Sequence, residues 1–311
     1  MEPVISVIIT SYNHEPYIEK SLAGVLEQVD CPEFEIVIGD DCSQDHTPEI
    51  IEKYRKQHPD KIRVLSRNKN LGLQQNMKDC FYSCRGTYIA ICEGDDFWID
   101  PHKLKIQYEA LASHPDAVLC FNDIYLLKNT GTIDHIPNVK AKFTDRINAS
   151  DLIKTRNMIG NFSCCMYRRD VLKAIPDSFW KNNRTVDFTF NLLALTASPY
   201  ALYINKKMSV YRILNNSLSH RDNKYTKFAN MIKMLSYTQV MTNFAHMQLI
   251  DDWISALKEQ MEKDVSKEKK TPAADASQPA APASEKPGFR KLFGLSFKFR
   301  NKRFLLGIGQ K

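Results

Sequence analysis

The sequence predicts an α/β protein built around a doubly wound, mostly parallel sheet. Strand-like and helix-like segments alternate strictly through residues 1–125, which is typical of a parallel sheet covered by helices. The predicted strands are continuous apolar, β-branched runs, as expected for strands that are buried on both faces. A hydrophobic content of 43% and a charged content of 25% indicate a soluble globular chain that can bury a core.

The elements of this first half follow one another in a regular order. The predicted strands are short apolar runs that end in polar residues, and they cover 4–10, 34–39, 62–65, 88–92 and 117–125. Helices are predicted between them from apolar spacing or start signals, at 22–29, from Thr47 onward, at 74–82 and at 101–113. Lys103 and Gln107 are one helical turn apart, and we expect them on a solvent-facing side.

The alternation fades in the second half of the chain. Helices are predicted at 149–156 and 187–195, with short strands at 163–167 and 201–204. Beyond this second half (126–222), residues 223–263 are expected to form a helical extension. Residues 264–287 are rich in Lys, Ala, Pro and Ser and are expected to be a disordered linker.

The net charge is concentrated in the final segment, 288–311. The chain has 43 basic and 36 acidic residues, and seven of the basic residues but no acidic one lie in this segment. The remainder is therefore neutral by formal count. A nucleic-acid binder with charge spread over its folded surface is disfavoured, and no nucleic-acid partner is expected.

The cysteines and the N-terminal segment bear on the cellular compartment. The eight cysteines form no C-x-x-C pair and no zinc-type spacing, so we interpret them as reduced thiols. The first apolar run is too short for a signal peptide, and no run approaches the ~20 apolar residues of a membrane span. These features predict a cytoplasmic protein.

Polar motifs follow three of the predicted strands. The first strand ends in TSYN (10–13), the second in DDCS (40–43) and the fourth in EGDDFW (93–98). Each could be an ordinary turn, because Asp, Asn, Ser and Gly favour turns for backbone reasons. Ligands of parallel sheets bind outside the carboxyl ends of the strands, where these three motifs converge. Paired carboxylates there suit Mg²⁺ or Mn²⁺ with a diphosphate.

The ordered series of motifs resembles the family 2 glycosyltransferases of the GT-A fold. The resemblance is carried by SVIITSYN at 6–13, DDxS at 40–43, NxG at 70–72 and EGDD at 93–96, and it covers roughly 1–215. It implies a nucleotide-sugar-binding half at 1–125 and an acceptor-binding half at 126–222. Members are typically inverting enzymes that use a nucleotide-diphospho-sugar and a divalent cation, Mn²⁺ or Mg²⁺.

The resemblance assigns roles by position. Thr10, Tyr12 and Asp41 would line the nucleotide pocket, with Asp41 facing the base, and Arg67 would approach the nucleotide. The remaining assignments concern the metal and the diphosphate: Asp96 as the direct metal ligand, Asp95 as a further ligand nearer the ribose or sugar, and Arg212 as a phosphate contact. The motif reads EGDD and not a strict DxD, which leaves the role of Glu93 open.

The resemblance also places a catalytic base in the second half. Inverting transfer requires a group that takes the proton of the acceptor hydroxyl, and Asp187 lies where the family has this carboxylate. Its position at a helix start is expected to favour the ionised form. The alternative is an Asp that merely caps a helix. His14, in the loop after the first strand, could reach the site, but a lone loop His is usually solvated.

The segment 288–311 combines basic residues with Phe and Leu at helical spacing, which suits an anionic membrane surface. The alternatives are docking onto the body or a partner protein, and an RNA-binding arm, which the lack of Tyr and Trp disfavours. The resemblance implies a transferase that uses a UDP-sugar, and the resemblance together with this segment implies an enzyme at the inner face of the plasma membrane with a lipid-linked saccharide acceptor in cell-surface polysaccharide synthesis. A soluble acceptor, and a non-catalytic GT-A scaffold recruited through its tail, are the alternatives.

Overall fold

The computed structural model of the protein describes residues 2–128, 130–131, 133–136, 145–182, 186–214 and 223–270. The basic segment 288–311 and most of the expected linker lie outside the described residues. The chain divides into two compact units, residues 1–261 and 262–311. The first unit contains the whole sheet. In the second, the described residues 262–270 are helical.

The centre of the first unit is a ten-stranded mixed sheet. Its strands are β1 Ile5–Ser11, β2 Phe34–Asp40, β3 Ile62–Val64, β4 Tyr88–Ile91, β5 Phe97–Trp98, β6 Leu119–Leu127, β7 Ile133–Ile136, β8 Arg146–Ile147, β9 Cys165–Arg168 and β10 Ala201–Arg212. Their order is β3-β2-β1-β4-β9-β6-β10-β5, with β7 paired to β6 and β8 to β10. The first four strands are parallel, and β9 inserts antiparallel between β4 and β6. The α/β class and the mostly parallel sheet are confirmed.

The helices cover both faces of this sheet. They are α1 Ile18–Leu26, α2 Thr47–Gln57, α3 Leu73–Ser83, α4 Lys103–Ala112, α5 Ala149–Thr155, α6 Phe179–Asn182, α7 Val186–Thr196, α8 Lys224–Met241 and α9 Met247–Lys270. Short 3-10 turns at Phe162–Cys164 and Arg169–Ala174 flank β9. Among the described residues, no helix is both long and apolar enough to cross a membrane.

Two apolar cores result, one on each face of the sheet. Successive side chains of a strand point to opposite faces, so Val7 and Ile9 of β1 join the core that includes Leu22 and Leu104. Ile8 of the same strand joins the other core with Phe81 of α3. Every residue of β1 is buried, which is the burial expected of a central strand between two helical layers.

Several elements differ from the sequence-based expectation. Helix α1 ends at Leu26, and Val29, expected on its apolar face, is 46% exposed. Strand β10 continues eight residues beyond the expected end at Ile204, because two register shifts carry it past a polar stretch. Helix α9 runs through Lys270 into the expected linker. Lys and Glu dominate that stretch, and both are good helix formers.

Candidate functional site

The acidic loop, Glu93–Asp96, follows β4 at the carboxyl end of the parallel strands. The Gly94 amide donates to Thr10 O at 2.9 Å, which ties the loop to the end of β1. A Cβ at Gly94 would lie 2.8 Å from both Thr10 O and His14 Nδ1, so the loop can pack this closely only with glycine there. Of the two readings of His14, the structure favours the one near the site and not the solvated one: its ring is partly buried beside the loop, and burial lowers its pKa.

Asp96 is the most enclosed carboxylate of this loop. It is 1% exposed, and its Oδ2 accepts hydrogen bonds from Asn161 Nδ2 at 2.5 Å and Ser163 Oγ at 2.6 Å. Its Oδ1 accepts the Arg212 backbone amide at 2.9 Å. Burial, followed by repulsion from Asp95, raises the pKa of Asp96 to about 8 despite these three donors. Three segments therefore meet at the buried carboxylate of Asp96: the acidic loop itself, the segment with Asn161 and Ser163, and the end of β10.

Asp95, next to the buried Asp96, is more accessible to solvent. Its side chain is partly exposed, while its main-chain carbonyl accepts Arg212 Nε at 2.8 Å. The guanidinium of Arg212 lies 4.7 Å from the ring centroid of Tyr17 and 5.3 Å from that of Phe97. Cation–π contacts with these two aromatic rings help to hold the cation beside the acidic loop. The Asp95 carboxylate thus remains accessible to a ligand, next to a positioned arginine.

Glu93 completes the acidic group. Its amide donates to Ser163 Oγ at 3.0 Å, and its Oε2 accepts Asn161 Nδ2 at 3.4 Å. Burial raises its pKa well above the usual range, and the charges of Asp96, Asp95 and Asp187 raise it further. Four carboxylates therefore converge here and repel one another.

Asp187 is the second residue of α7, as the sequence predicts for the base. The helix is held by rings on either side: Phe190 stacks on Phe81 at 4.9 Å, and Phe188 meets Trp253 edge-on at 5.2 Å. The Phe188 amide donates to Asp187 Oδ1 at 2.7 Å, a helix-start bond that favours ionisation. Burial outweighs this bond and raises the pKa to about 6, although the bond itself acts in the direction expected for a helix start.

The predicted nucleotide-side residues lie at the ends of β1 and β2. Tyr12 is 45% exposed directly beyond β1, and Thr10 is buried at the end of that strand. Asp41 is 3% exposed, and its carboxylate accepts the amides of Leu71 at 2.7 Å and Gly72 at 2.8 Å. Asp41 therefore fixes the loop before α3.

Arg67 belongs to the same region. It lies against α3, with Nη2 3.3 Å from Asn76 Oδ1 and 3.4 Å from Asp79 Oδ2. It also lines a pocket of about 400 Å³ between β2, β3 and α2. The other lining residues come from these elements and from the loops that follow β2 and β3: Asp40, Cys42, Ser43, Pro48, Ile51, Glu52, Val64, Leu65 and Ser66. The nucleotide contacts assigned to Thr10, Tyr12, Asp41 and Arg67 stay predictions.

The structure thus brings Asp95, Asp96, Asp187 and Arg212 together and places Asp41 and Arg67 in a second group. Sequence reasoning missed the roles of Asn161 and Ser163 as the donors that hold Asp96. A local signal exists, because both are polar residues at or just before the start of the short strand predicted at 163–167. In the described ranges, no group of three His, Cys, Asp or Glu residues is arranged to hold a metal ion. The oxygen donors and unbalanced charge of the acidic loop nevertheless fit a hard divalent cation.

Comparisons with known proteins agree with this geometry. The model of glycosyl transferase family 2 matches residues 6–175, more than half of the chain. An uncharacterised protein of Mycobacterium tuberculosis is 32% identical over 209 residues, which cover 67% of this chain and 58% of that relative. Bacillus subtilis TuaG, whose name places it in teichuronic acid biosynthesis, is 30% identical over 228 residues, 73% of this chain and 85% of TuaG.

Solved structures show the same fold at low sequence identity. S. aureus TarS in complex with UDP-GlcNAc has a TM-score of 0.59 and 19% identity, with 78% of this chain and 71% of TarS covered. The mannosyltransferase PcManGT from Pyrobaculum calidifontis, in complex with GDP-Man and Mn²⁺, has a TM-score of 0.57 and 15% identity, covering 86% and 76%. Both neighbours have the GT-A fold, and the expected GT-A architecture is confirmed. The chain belongs to glycosyl transferase family 2.

Proposed function

We propose that the protein transfers a sugar, with inversion, from a nucleotide-diphospho-sugar to a hydroxyl group of a saccharide acceptor. One observation carries this proposal: Asp187, a carboxylate with a pKa of about 6, lies near an acidic loop that follows the parallel strands. A base with this pKa is ionised at neutral pH and still basic enough to accept a hydroxyl proton during attack.

The chain's own residues divide the chemistry between them. Asp187 accepts the acceptor proton while the acceptor oxygen forms a bond to the anomeric carbon from the face opposite the diphosphate. The bond between that carbon and the diphosphate oxygen breaks, and its electron pair leaves with the nucleotide diphosphate. Arg212, fixed beside Asp95, supplies positive charge toward the diphosphate. Inversion follows because the attacking and leaving oxygens lie on opposite faces.

Asp95 and Asp96, with Glu93 beside them, are the residues that would hold a divalent cation. Asp95 offers the accessible carboxylate, while Asp96 is engaged by three donors, so we place the first contact at Asp95 and not, as the sequence suggested, at Asp96. When bound, the cation would offset charge on the leaving diphosphate. The PcManGT complex with Mn²⁺ supports this choice of ion.

The donor is proposed to be a UDP-sugar, with Tyr12 available to stack on the base. The TarS complex with UDP-GlcNAc supports UDP, whereas the PcManGT complex with GDP-Man keeps GDP as an alternative. The acceptor is proposed to be a lipid-linked saccharide in cell-surface polysaccharide synthesis, which the name of TuaG supports. A soluble protein or small molecule is the alternative acceptor.

Donor hydrolysis tests the enzymatic proposal. Purified protein with Mn²⁺ is expected to release nucleoside diphosphate slowly from one member of a donor panel, because water can replace the acceptor. Release is measured for UDP-, dTDP- and GDP-sugars, with EDTA as the control. If the protein neither hydrolyses nor transfers from any of these donors, the non-catalytic scaffold is favoured instead.

Deletion of 288–311 is expected to release the protein from anionic vesicles. Each basic residue near such a surface contributes about 1 kcal/mol, and this segment carries seven. Cosedimentation with phosphatidylglycerol vesicles and with phosphatidylcholine vesicles measures the effect. The full-length protein should bind the anionic vesicles at low salt and dissociate at high salt. Equal binding of full-length and truncated protein would overturn both the membrane role of the segment and the peripheral location at the inner face.

A further inference from the structure

A fully buried lysine lies next to the acidic loop. Lys103, at the start of α4, and Gln107, one turn later, both have no exposed surface. The expectation that this pair faces solvent is wrong, because α4 presents it to the sheet and to the segment before β9. A buried lysine requires an explanation, since an ammonium group loses its hydration when it is enclosed.

Among the described residues, the ammonium group of Lys103 is held without an acidic partner. Its Nζ donates to Gln107 Oε1 at 2.5 Å and lies 4.2 Å from the ring centroid of Trp98. In the part of the chain that the structure describes, no carboxylate lies within ion-pair distance of this Nζ. Four buried cysteines surround it: Cys92, Cys120, Cys164 and Cys165. Burial lowers the pKa of Lys103 to about 8, so this environment disfavours the charge.

The two groups that hold the ammonium both lead to one peptide segment. Gln107 Nε2 donates to Cys164 O at 2.8 Å. Trp98 Nε1 donates to Ser163 O at 2.9 Å. Lys103 therefore closes a ring of contacts that runs through α4, β5 and the 3-10 turn before β9.

The same turn supports the acidic loop. Ser163 Oγ donates to Asp96 Oδ2 at 2.6 Å and accepts the Glu93 amide at 3.0 Å. A displacement of Ser163 would therefore move both carboxylate residues. Ser163, which makes both of these hydrogen bonds, is therefore a member of the ring that Lys103 closes, and Ser209 Oγ also donates to its carbonyl at 3.1 Å.

We propose that Lys103 is a positioning residue, whose buried ammonium joins Gln107 to Trp98 and thereby fixes Ser163 and the acidic loop for cation and donor binding. This inference rests on the proposed function, because it assigns a purpose to the geometry of that site. A lysine that served only to fill space would be replaceable by an apolar side chain of equal length. A positioning lysine would not, since the ring of contacts would lose its closing member.

The variant Lys103→Met separates these roles. Methionine keeps the length and packing of the stem but leaves the buried Gln107 Oε1 without its donor, so we expect a Tm that is lower by a few degrees in a protein that still folds. In that folded protein we expect roughly 10- to 100-fold weaker Mn²⁺ binding in the presence of UDP and a similar loss of kcat/KM. Mn²⁺ binding is measured by EPR titration and Tm by circular dichroism.

Two further variants complete the experiment. Lys105→Met removes a partly exposed charge from the same helix and should leave Mn²⁺ binding unchanged. Gln107→Leu opens the ring at another contact and should weaken Mn²⁺ binding in the same direction as Lys103→Met. Wild-type Mn²⁺ affinity in a folded Lys103→Met protein, or loss of its fold, would overturn the positioning role. Absence of UDP-dependent Mn²⁺ binding in the wild type would instead refute the proposed function.

Discussion

Replacement of Asp187 by Asn is expected to lower kcat roughly 10²- to 10⁴-fold and to leave the KM for the donor almost unchanged. Asn has nearly the same shape, so α7 should keep the ring contacts that position it. The substitution removes the proton acceptor only. Initial rates at saturating acceptor, with the donor varied, separate kcat from KM.

The pH profile provides the mechanistic readout for Asp187. The base acts in its ionised form, and burial raises its pKa to about 6, so wild-type kcat should fall as pH decreases through about 6. The residual activity of Asp187→Asn should lack this acidic limb. Asp177→Asn, which alters an exposed carboxylate paired with Lys78, should retain the wild-type profile. A fully active Asp187→Asn enzyme would refute the base assignment.

Replacement of Asp96 by Asn is expected to lower kcat/KM roughly 10²- to 10³-fold, with little change in fold stability. The stability expectation follows from Asn161, whose Oδ1 is buried without a hydrogen-bond partner in the described structure. Rotation of this amide would present Oδ1 to the new NH₂ group. The substitution removes the ionised form of Asp96 that a bound cation would favour, while the connection to Asn161 is preserved.

The loss of a carboxyl group that can ionise when a cation binds should be visible in cation binding as well as in rate. Isothermal titration of Asp96→Asn with Mn²⁺ and UDP should show weaker binding than the wild type, while Asp116→Asn, which alters an exposed turn, should match the wild type. Unchanged Mn²⁺ affinity together with unchanged kcat/KM in Asp96→Asn would contradict a role of this carboxylate in the site.

The first half of the fold could be predicted because each strand is a local apolar run. The strand predicted at 34–39 and the structural strand Phe34–Asp40 differ by one residue, since burial on both faces leaves a strong local signal. Strand β10 was too short in the prediction because its burial changes along its length and its pairing shifts register. Such a strand is defined by its partner β6, which local sequence does not reveal.

Part of the site could also be predicted, because some of its residues are contiguous in the sequence. Asp95 and Asp96 belong to a contiguous motif, and their place after a parallel strand is a local feature. The environments of Asn161, Ser163 and Lys103 arise from contacts between segments distant in sequence, which spacing alone does not encode. Lys103 shows the limit most clearly, because a Lys and Gln pair at helical spacing usually indicates a solvated surface, whereas here it is fully buried.

Native mass spectrometry with a mixture of nucleotide-diphospho-sugars tests the central claim most directly. The site described here predicts a one-to-one complex with one donor, which forms with Mn²⁺, disappears with EDTA and is weakened in Asp96→Asn. The same donor should then be the one that is turned over. Failure to bind any UDP-, dTDP- or GDP-sugar in the presence of Mn²⁺ would contradict the assignment of this acidic loop to donor binding.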